Sequence, residues 1–217
     1  MKLNLISMFT ILLGSIVFGQ DSGITDTFNP NQWNKLFVEK GAEKVNQKLV
    51  YPVPDYVNAV VPLYKLHTKL IYNALNDEFE YVHEDGVIYT ITKKNGLTVE
   101  FSDGRNYVYS KYYNNTEEKE GFLQLLSDPK QAIKLFKKNV VTEIAVDKNG
   151  YNTTSGVSHT TDTKYYVLLD KKIVYLPNSV SKIDKELGLD IKSIVKNGNI
   201  SLKKEEDLIR LFTVLNK

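Results

Sequence analysis

Between Tyr64 and Leu176 the chain repeats one pattern, in which short runs rich in Tyr, Val, Ile, Phe and Thr are separated by glycine-containing dipeptides. Asp85-Gly86, Asn95-Gly96 and Asp103-Gly104 stand between such runs, where they are typical of turns between antiparallel strands. In one run apolar and polar residues alternate, which places the apolar ones on a single core-facing side: Leu97, Val99 and Phe101. The pattern predicts an antiparallel β-meander.

Residues 121–146 carry both a helical and a strand period, and Asp128-Pro129 interrupts them in either case. The alternation that follows this break favours two strands joined there. Further along, the polar segment 147–163 is typical of a loop, and residues 164–169 and 173–176 predict a last strand pair. The β region is therefore expected to end with that pair.

Two segments precede the meander. Trp33, Leu36 and Phe37 have helical spacing behind Asn31, which is a suitable cap, and they predict a short helix. Three prolines then predict that residues 51–62 form an extended or edge segment rather than a central strand.

After Pro177 the apolar residues change to helical spacing and define three short amphipathic segments. Ser179 is a suitable cap and Gly188 a stop for the first segment, and Ser201 is a suitable cap for the third. The apolar positions are Val180, Ile183 and Leu187, then Ile191, Ile194 and Val195, then Leu208, Ile209, Phe212 and Leu215. Each segment is too narrow to be stable alone, so it must pack on the sheet or on the others.

The expected fold class is α+β, with an antiparallel β-meander sheet or partial barrel followed by three short C-terminal helices. The expected organisation is a signal peptide (1–19), an N-terminal extension with a short helix (20–50), an antiparallel β domain (51–176) and a C-terminal helical segment packed on the sheet (177–217). A length of 217 residues agrees with one domain and a small appendage.

The N-terminus has the features of an export signal. Lys2 precedes an apolar run over residues 3–18, and Gly19 offers a small residue for cleavage. A membrane anchor is the alternative, but the run is at the short end of the ~17–25 residues that a span requires, and no basic cluster follows it. We predict export to the periplasm or the extracellular space, with no transmembrane helix after cleavage.

The composition narrows the possible chemistry. The chain has no cysteine, which excludes disulfides, thiolate metal sites, a cysteine nucleophile and lipid attachment through a cysteine. Its formal charge is only +2, from 28 basic and 26 acidic residues, and this balance does not favour nucleic acid as a partner.

Several motifs follow the export signal in a fixed order: Tyr72-Asn73, Asp77-Glu78-Phe79-Glu80, Phe101-Ser102-Asp103-Gly104-Arg105, Gly121-Phe122 and Leu202-Lys203-Lys204-Glu205-Glu206-Asp207-Leu208. This order resembles that of uncharacterised exported proteins of Gram-negative bacteria. The resemblance covers about residues 60–217 and contains no catalytic motif. It implies a β-meander with a helical tail, strands over residues 121–146, and no particular activity.

The candidate catalytic and metal-binding residues are few. His67, His83 and His159 are dispersed and belong to no metal-binding motif. Glu78 and Glu80 would share one strand face, as a carboxyl pair for glycoside hydrolysis does, but a solvated face explains them equally well. We expect no enzyme activity, no cofactor and no bound metal.

The chain has 14 tyrosines, and four of them cluster after the Asp103-Gly104 turn: Tyr107, Tyr109, Tyr112 and Tyr113. On a strand, residues 107 and 109 lie on the face opposite residue 112. One interpretation is a tyrosine-rich core, since tyrosine favours strands. The other is an exposed aromatic face that binds sugar, peptide or a protein, and these four residues are the predicted binding site.

Two functions remain open at this point. The first is a non-catalytic exported envelope protein that binds a partner protein or a polymer, such as another envelope protein or a polysaccharide, through its sheet. The alternative is a periplasmic carrier of an apolar ligand such as a lipid, which requires an apolar cavity of at least ~300 Å³ between sheet and helices.

Overall fold

The computed structural model describes residues 37–39, 50–83, 86–145 and 157–217. The predicted signal peptide (1–19) and residues 147–156 of the predicted loop lie outside this part of the chain. Within it there are eleven strands, in chain order β1 (Phe37–Glu39), β2 (Val57–Val61), β3 (Leu66–Asn73), β4 (Glu78–Val82), β5 (Ile88–Ile91), β6 (Thr98–Phe101), β7 (Asn106–Asn114), β8 (Glu117–Leu125), β9 (Lys134–Ala145), β10 (Val157–Leu169) and β11 (Lys172–Tyr175). A 3₁₀ turn (Pro62–Tyr64) follows β2, and the chain continues after β11 with α1 (Val180–Leu187), α2 (Lys192–Gly198) and α3 (Glu205–Leu215).

The described strands form one coiled sheet in the order β1-β5-β4-β3-β2-β6-β7-β11-β10-β9-β8. Because β7 also pairs with β8, the five strands from β7 to β11 close into a barrel. The first six strands form an N-terminal sheet that continues into the barrel through β7. The prediction of a β-rich fold with three C-terminal helices is confirmed.

The prediction of a purely antiparallel sheet is wrong, because β11 runs parallel to β7 with Val174 opposite Tyr113. The reason is geometric. Strands joined by hairpins alternate in direction, so a closed meander with an odd number of strands must place its first and last strands parallel. The closure of the barrel therefore produces the one parallel pair in the described sheet.

Strand β2 is also placed differently from the prediction for residues 51–62. It is central, because it pairs with β3 on one side and β6 on the other. The three prolines lie outside residues 57–61, and Pro62 begins the 3₁₀ turn, so none of them removes a donor from the ladder.

The Asn95-Gly96 turn does not join two paired strands. Strand β5 pairs with β4 and β1, whereas β6 pairs with β2 and β7. Gly96 instead has a positive φ of 79° and donates its amide to the Tyr109 carbonyl, which directs the chain across to β7. The dipeptide thus identifies a turn correctly but does not determine which strands it connects.

Three further expectations are corrected. Phe37 lies in β1, not in the predicted helix, because residues 37–39 pair with the edge of β5. The other residues of that prediction, Asn31, Trp33 and Leu36, lie outside the described part of the chain. Residues 157–163 belong to β10 rather than to a loop, because they pair with β9. Ser201 does not cap the third helix, which begins at Glu205 after Lys204. The two strands predicted within residues 121–146 are confirmed as β8 and β9.

Three hydrophobic clusters stabilise the barrel and connect it to the N-terminal sheet and to the helices. The barrel interior contains side chains from all five of its strands: Tyr112, Leu123, Phe136, Tyr166 and Ile173. A second cluster lies between the N-terminal sheet and the outer side of the barrel, where Tyr107, Phe122 and Val141 pack against Phe79 and its neighbours. A third joins the opposite outer side to the helices through Leu135, Val167, Leu176, Ile183, Leu208, Leu211 and Phe212. The barrel is therefore the central layer.

Candidate functional site

The four tyrosines of β7 occupy different environments. Tyr107 is 5% exposed and packs against the N-terminal sheet, with its ring 5.2 Å from that of Phe79. Tyr112 is 4% exposed and lies inside the barrel. Tyr109 and Tyr113 remain partly exposed. The predicted site is therefore divided, with two members in the interior and two on the outer surface.

The exposed tyrosines belong to a row of cross-strand contacts on the outer surface of the β7–β8 hairpin. The Tyr109 hydroxyl donates to Glu120 Oε2 at 3.3 Å, and the Tyr113 hydroxyl donates to Glu118 Oε2 at 2.7 Å. Lys111 lies between them and contacts Glu118 at 2.8 Å and Glu120 at 3.9 Å. We call these five residues the hairpin face. Glu118 and Glu120 follow no motif, and the strand register places Glu118 opposite Tyr113 and Glu120 opposite Lys111.

The charges of the hairpin face stabilise one another. Hydrogen bonds from Lys111 and Tyr113 lower the pKa of Glu118, and the bond to Glu118 in turn raises the pKa of Lys111 and that of Tyr113. The side chains of Lys111, Glu118 and Glu120 are 54%, 43% and 51% exposed, so these bonds contribute little to folding stability. Their main effect is to fix the orientation of the two tyrosine hydroxyls.

A second polar cluster lies at the seam between β8 and β9. These strands pair only at Gln124 and Leu125, and they separate beyond that point. Asp77, from the turn between β3 and β4, accepts the Phe122 amide at 3.1 Å. The Lys138 ammonium donates to the Phe122 carbonyl at 3.0 Å. Two side chains thus replace the backbone bonds that β9 no longer supplies.

A largely buried ion pair lies at this seam. Lys138 Nζ lies 2.8 Å from Asp77 Oδ1, and the Tyr72 hydroxyl donates to the same oxygen at 2.6 Å. The lysine and aspartate side chains are 9% and 21% exposed. Burial lowers the pKa of Lys138, and the attraction of Asp77 offsets that effect only in part. Burial, together with Asp77, raises the pKa of Tyr72 well above its ordinary value.

The motif resemblance included Asp77 and Gly121, but the sequence alone did not connect them. Asp77 has a positive φ of 54°, which an aspartate tolerates in a turn. A Cβ on Gly121 would collide with the Asp77 carboxylate and would lie 2.7 Å from Lys138 Nζ. Glycine is therefore required for the close approach of the turn to β8. The contact joins residues 44 positions apart, which no local pattern reveals.

Glu78 and Glu80 differ in how deeply their side chains are buried. Glu80 is 1% exposed and accepts hydrogen bonds from Asn73 at 2.6 Å and Tyr51 at 2.9 Å. Glu78 lies nearer the surface, 3.7 Å from Lys93. The buried carboxylate is thus held in a structural hydrogen-bond network. Among the described residues, no cluster of His, Asp and Glu side chains has the composition of a metal site.

Two depressions differ in what they could hold. An open groove of about 600 Å³ lies over the outer face of β2, β3 and β6, next to Val60, His67 and Glu100. A cleft of about 360 Å³ lies between β10, β11 and the helices, which is the size expected for an apolar carrier. Its lining is mostly polar and includes Asp162 and Lys203. The lining therefore does not resemble a lipid pocket.

Two observations bear on identity. No helix in the described part of the chain has the length and apolar character to cross a membrane. Comparisons with protein-family models, with curated proteins and with solved structures found no match to this chain. The function must therefore be inferred from the residues of this chain.

Raised pKa values of the buried Tyr112 and the half-buried Tyr165 predict a loss of stability at alkaline pH. Burial raises the pKa of Tyr112 to about 12, and burial beside Glu205 raises the pKa of Tyr165 to about 12, from an ordinary value of 10.0. Since the folded state holds these protons more tightly, the stabilisation is complete below pH 10 and is lost as the pH rises toward 12. The urea midpoint should fall across that window, and less steeply in Tyr165→Phe. A constant midpoint would contradict the prediction.

Proposed function

We propose that this chain is an exported, non-catalytic envelope protein that binds a partner protein or a polymer through the hairpin face. The observation that carries the proposal is the row of contacts from Tyr109 through Glu120, Lys111 and Glu118 to Tyr113. These bonds orient the two hydroxyls in the unbound protein, and the Tyr109 ring also packs against Phe122, with the ring centres 5.1 Å apart. Because a prearranged surface loses less conformational entropy on binding, such a row favours recognition.

The surroundings of the hairpin face support this choice. The N-terminal sheet covers the outer side of the barrel around Phe122, and the helices cover it around Leu135. The distal part of the β7–β8 hairpin is left accessible and carries tyrosine, a residue enriched at binding surfaces because it combines a large ring with a polar tip. Export is supported by Lys2 and the apolar run at residues 3–18.

The carrier alternative has less support. The barrel interior is filled by large side chains from all five strands, including Tyr112, Phe136 and Tyr166. A barrel of five strands has little internal space, and here aromatic rings occupy it. The cleft beside α3 is large enough for a lipid, but its mostly polar lining does not suit one.

The test is fractionation of cells that produce the protein, followed by sedimentation of the purified protein with their isolated envelopes. We expect recovery from the envelope fraction with Gln20 as the first residue, and co-sedimentation that Tyr113→Ala weakens about tenfold. The matched control is Lys69→Ala, because Lys69 is exposed on a strand outside the hairpin face. Equal sedimentation of the wild type and Tyr113→Ala would contradict the proposal.

A further inference from the structure

The charge balance of the hairpin face indicates what kind of ligand it suits, if it is the binding surface proposed above. Its two carboxylates, on Glu118 and Glu120, both lie within 3.9 Å of the Lys111 ammonium. Lys172 adds a second ammonium, which lies over one face of the Tyr113 ring, 5.8 Å from its centre. Positive and negative groups are therefore matched within the protein. A surface that neutralises its own charges has little to gain from a charged ligand.

The hydrogen-bonding capacity of the same residues is not exhausted. A carboxylate has about four lone-pair sites. Glu118 accepts one bond from Lys111 and one from Tyr113, and Glu120 accepts one from Tyr109. Acceptor positions remain on both carboxylates beside the partly exposed rings. This combination suits a ligand with hydroxyl donors and an apolar side that can lie against an aromatic ring.

An added polypeptide strand fits this hairpin less well. Both edges of β7 are occupied, by β8 on one side and by β6 and β11 on the other. Beyond Phe122 the edge of β8 has no ladder partner within the described residues. That edge carries the consecutive charges of residues 117–120, which is a common way to prevent strand addition. The side-chain surface, rather than the backbone edge, is thus available for binding.

We propose that the hairpin face binds a neutral carbohydrate polymer, with sugar rings against Tyr113 and Tyr109 and sugar hydroxyls donating to Glu118 and Glu120. This inference rests on the proposed function and names its ligand class. The internal charge pairs act as fixed acceptors, and the tyrosine rings supply the apolar contact.

The probe is an array of immobilised neutral oligosaccharides built from hexoses, pentoses and N-acetylhexosamines. We expect the wild-type protein to bind a subset of them, with no loss at raised salt, because no net charge is neutralised on binding. Tyr113→Ala should weaken binding about tenfold, and Glu120→Gln should weaken it as well. Lys69→Ala, the control, should bind as the wild type does. Circular dichroism should give the same folded spectrum for all four proteins.

The outcomes separate this inference from the proposed function. Absence of array binding, combined with envelope binding that depends on Tyr113 and is abolished when the envelopes are treated with protease, would overturn the carbohydrate inference and leave the binding role intact. Binding restricted to acidic sugars and lost at raised salt would also overturn it. Absence of any binding that depends on Tyr113, to the array or to envelopes, would overturn both.

Discussion

Replacing Asp77 by asparagine is expected to lower the free energy of unfolding by about 3 kcal/mol. Asparagine tolerates the positive φ at this position and has nearly the same size, so the main change is the loss of the carboxylate charge. The Lys138 ammonium then stays in a site where its side chain is 9% exposed, without an opposite charge. Urea unfolding followed by circular dichroism measures the effect.

The ion pair itself is tested by a double-mutant cycle with Lys138→Met. The double variant Asp77→Asn/Lys138→Met has no charge at the seam, and replacing both members of such a pair is often neutral or stabilising. We therefore expect it to be about 2 kcal/mol more stable than Asp77→Asn alone. A double variant that is less stable than Asp77→Asn would contradict this account of the seam.

An exposed pair of equal length provides the control. Lys111 and Glu118 are 2.8 Å apart, as Lys138 and Asp77 are, but their side chains are 54% and 43% exposed. Glu118→Gln should therefore lower the free energy of unfolding far less than Asp77→Asn does, because water already screens the charges. If Glu118→Gln and Asp77→Asn lower the free energy of unfolding equally, burial does not determine how much the Lys138–Asp77 ion pair contributes to stability.

Replacing Gly121 by alanine is expected to destabilise the protein by about 2–3 kcal/mol. In an ordinary strand the same change stabilises, since glycine costs about 0.5–1 kcal/mol relative to alanine. Here the new methyl group meets the Asp77 carboxylate and lies 2.7 Å from Lys138 Nζ, both of which are held by hydrogen bonds. A decrease in the free energy of unfolding, rather than an increase, would therefore show that the Asp77 turn approaches β8 closely at Gly121.

The clash can be located by combining variants. In an Asp77→Ala background the carboxylate is absent, so Gly121→Ala should cost less than about 1 kcal/mol there. Ser110→Ala, at the β7 position paired with Gly121, should change stability by no more than about 0.5 kcal/mol in the wild type. If Gly121→Ala costs the same in both backgrounds, the collision is not with Asp77.

Local patterns identified most of the elements correctly because their causes are local. The alternation of Leu97, Val99 and Phe101 predicted the buried side of β6, and these residues are 0%, 0% and 5% exposed. Gly188 ends α1 with a positive φ of 64°, as a residue without a Cβ can do at low cost. Predictions failed where pairing with a distant strand decided the outcome, as at Phe37 and over residues 157–163.

The candidate site was accessible to sequence reasoning only in part. The cluster of four tyrosines in one strand singled out β7, and strand alternation correctly separated Tyr112 from Tyr107 and Tyr109. The sequence did not reveal which tyrosines would be covered. It also did not predict the acidic partners on β8, because the register of the hairpin places Glu118 opposite Tyr113.

Periodicity, glycine and proline act within a few residues, so local sequence patterns were enough to predict a β-rich chain, three amphipathic C-terminal helices and the positions of the main turns. Local patterns did not predict that the sheet closes, that β11 runs parallel to β7, or that Asp77 reaches the seam beside Gly121. These features depend on contacts between distant segments. They are stabilised by burial of the hydrophobic cluster around Phe79 and by the strand pairing that closes the barrel. No short stretch of sequence encodes either of these.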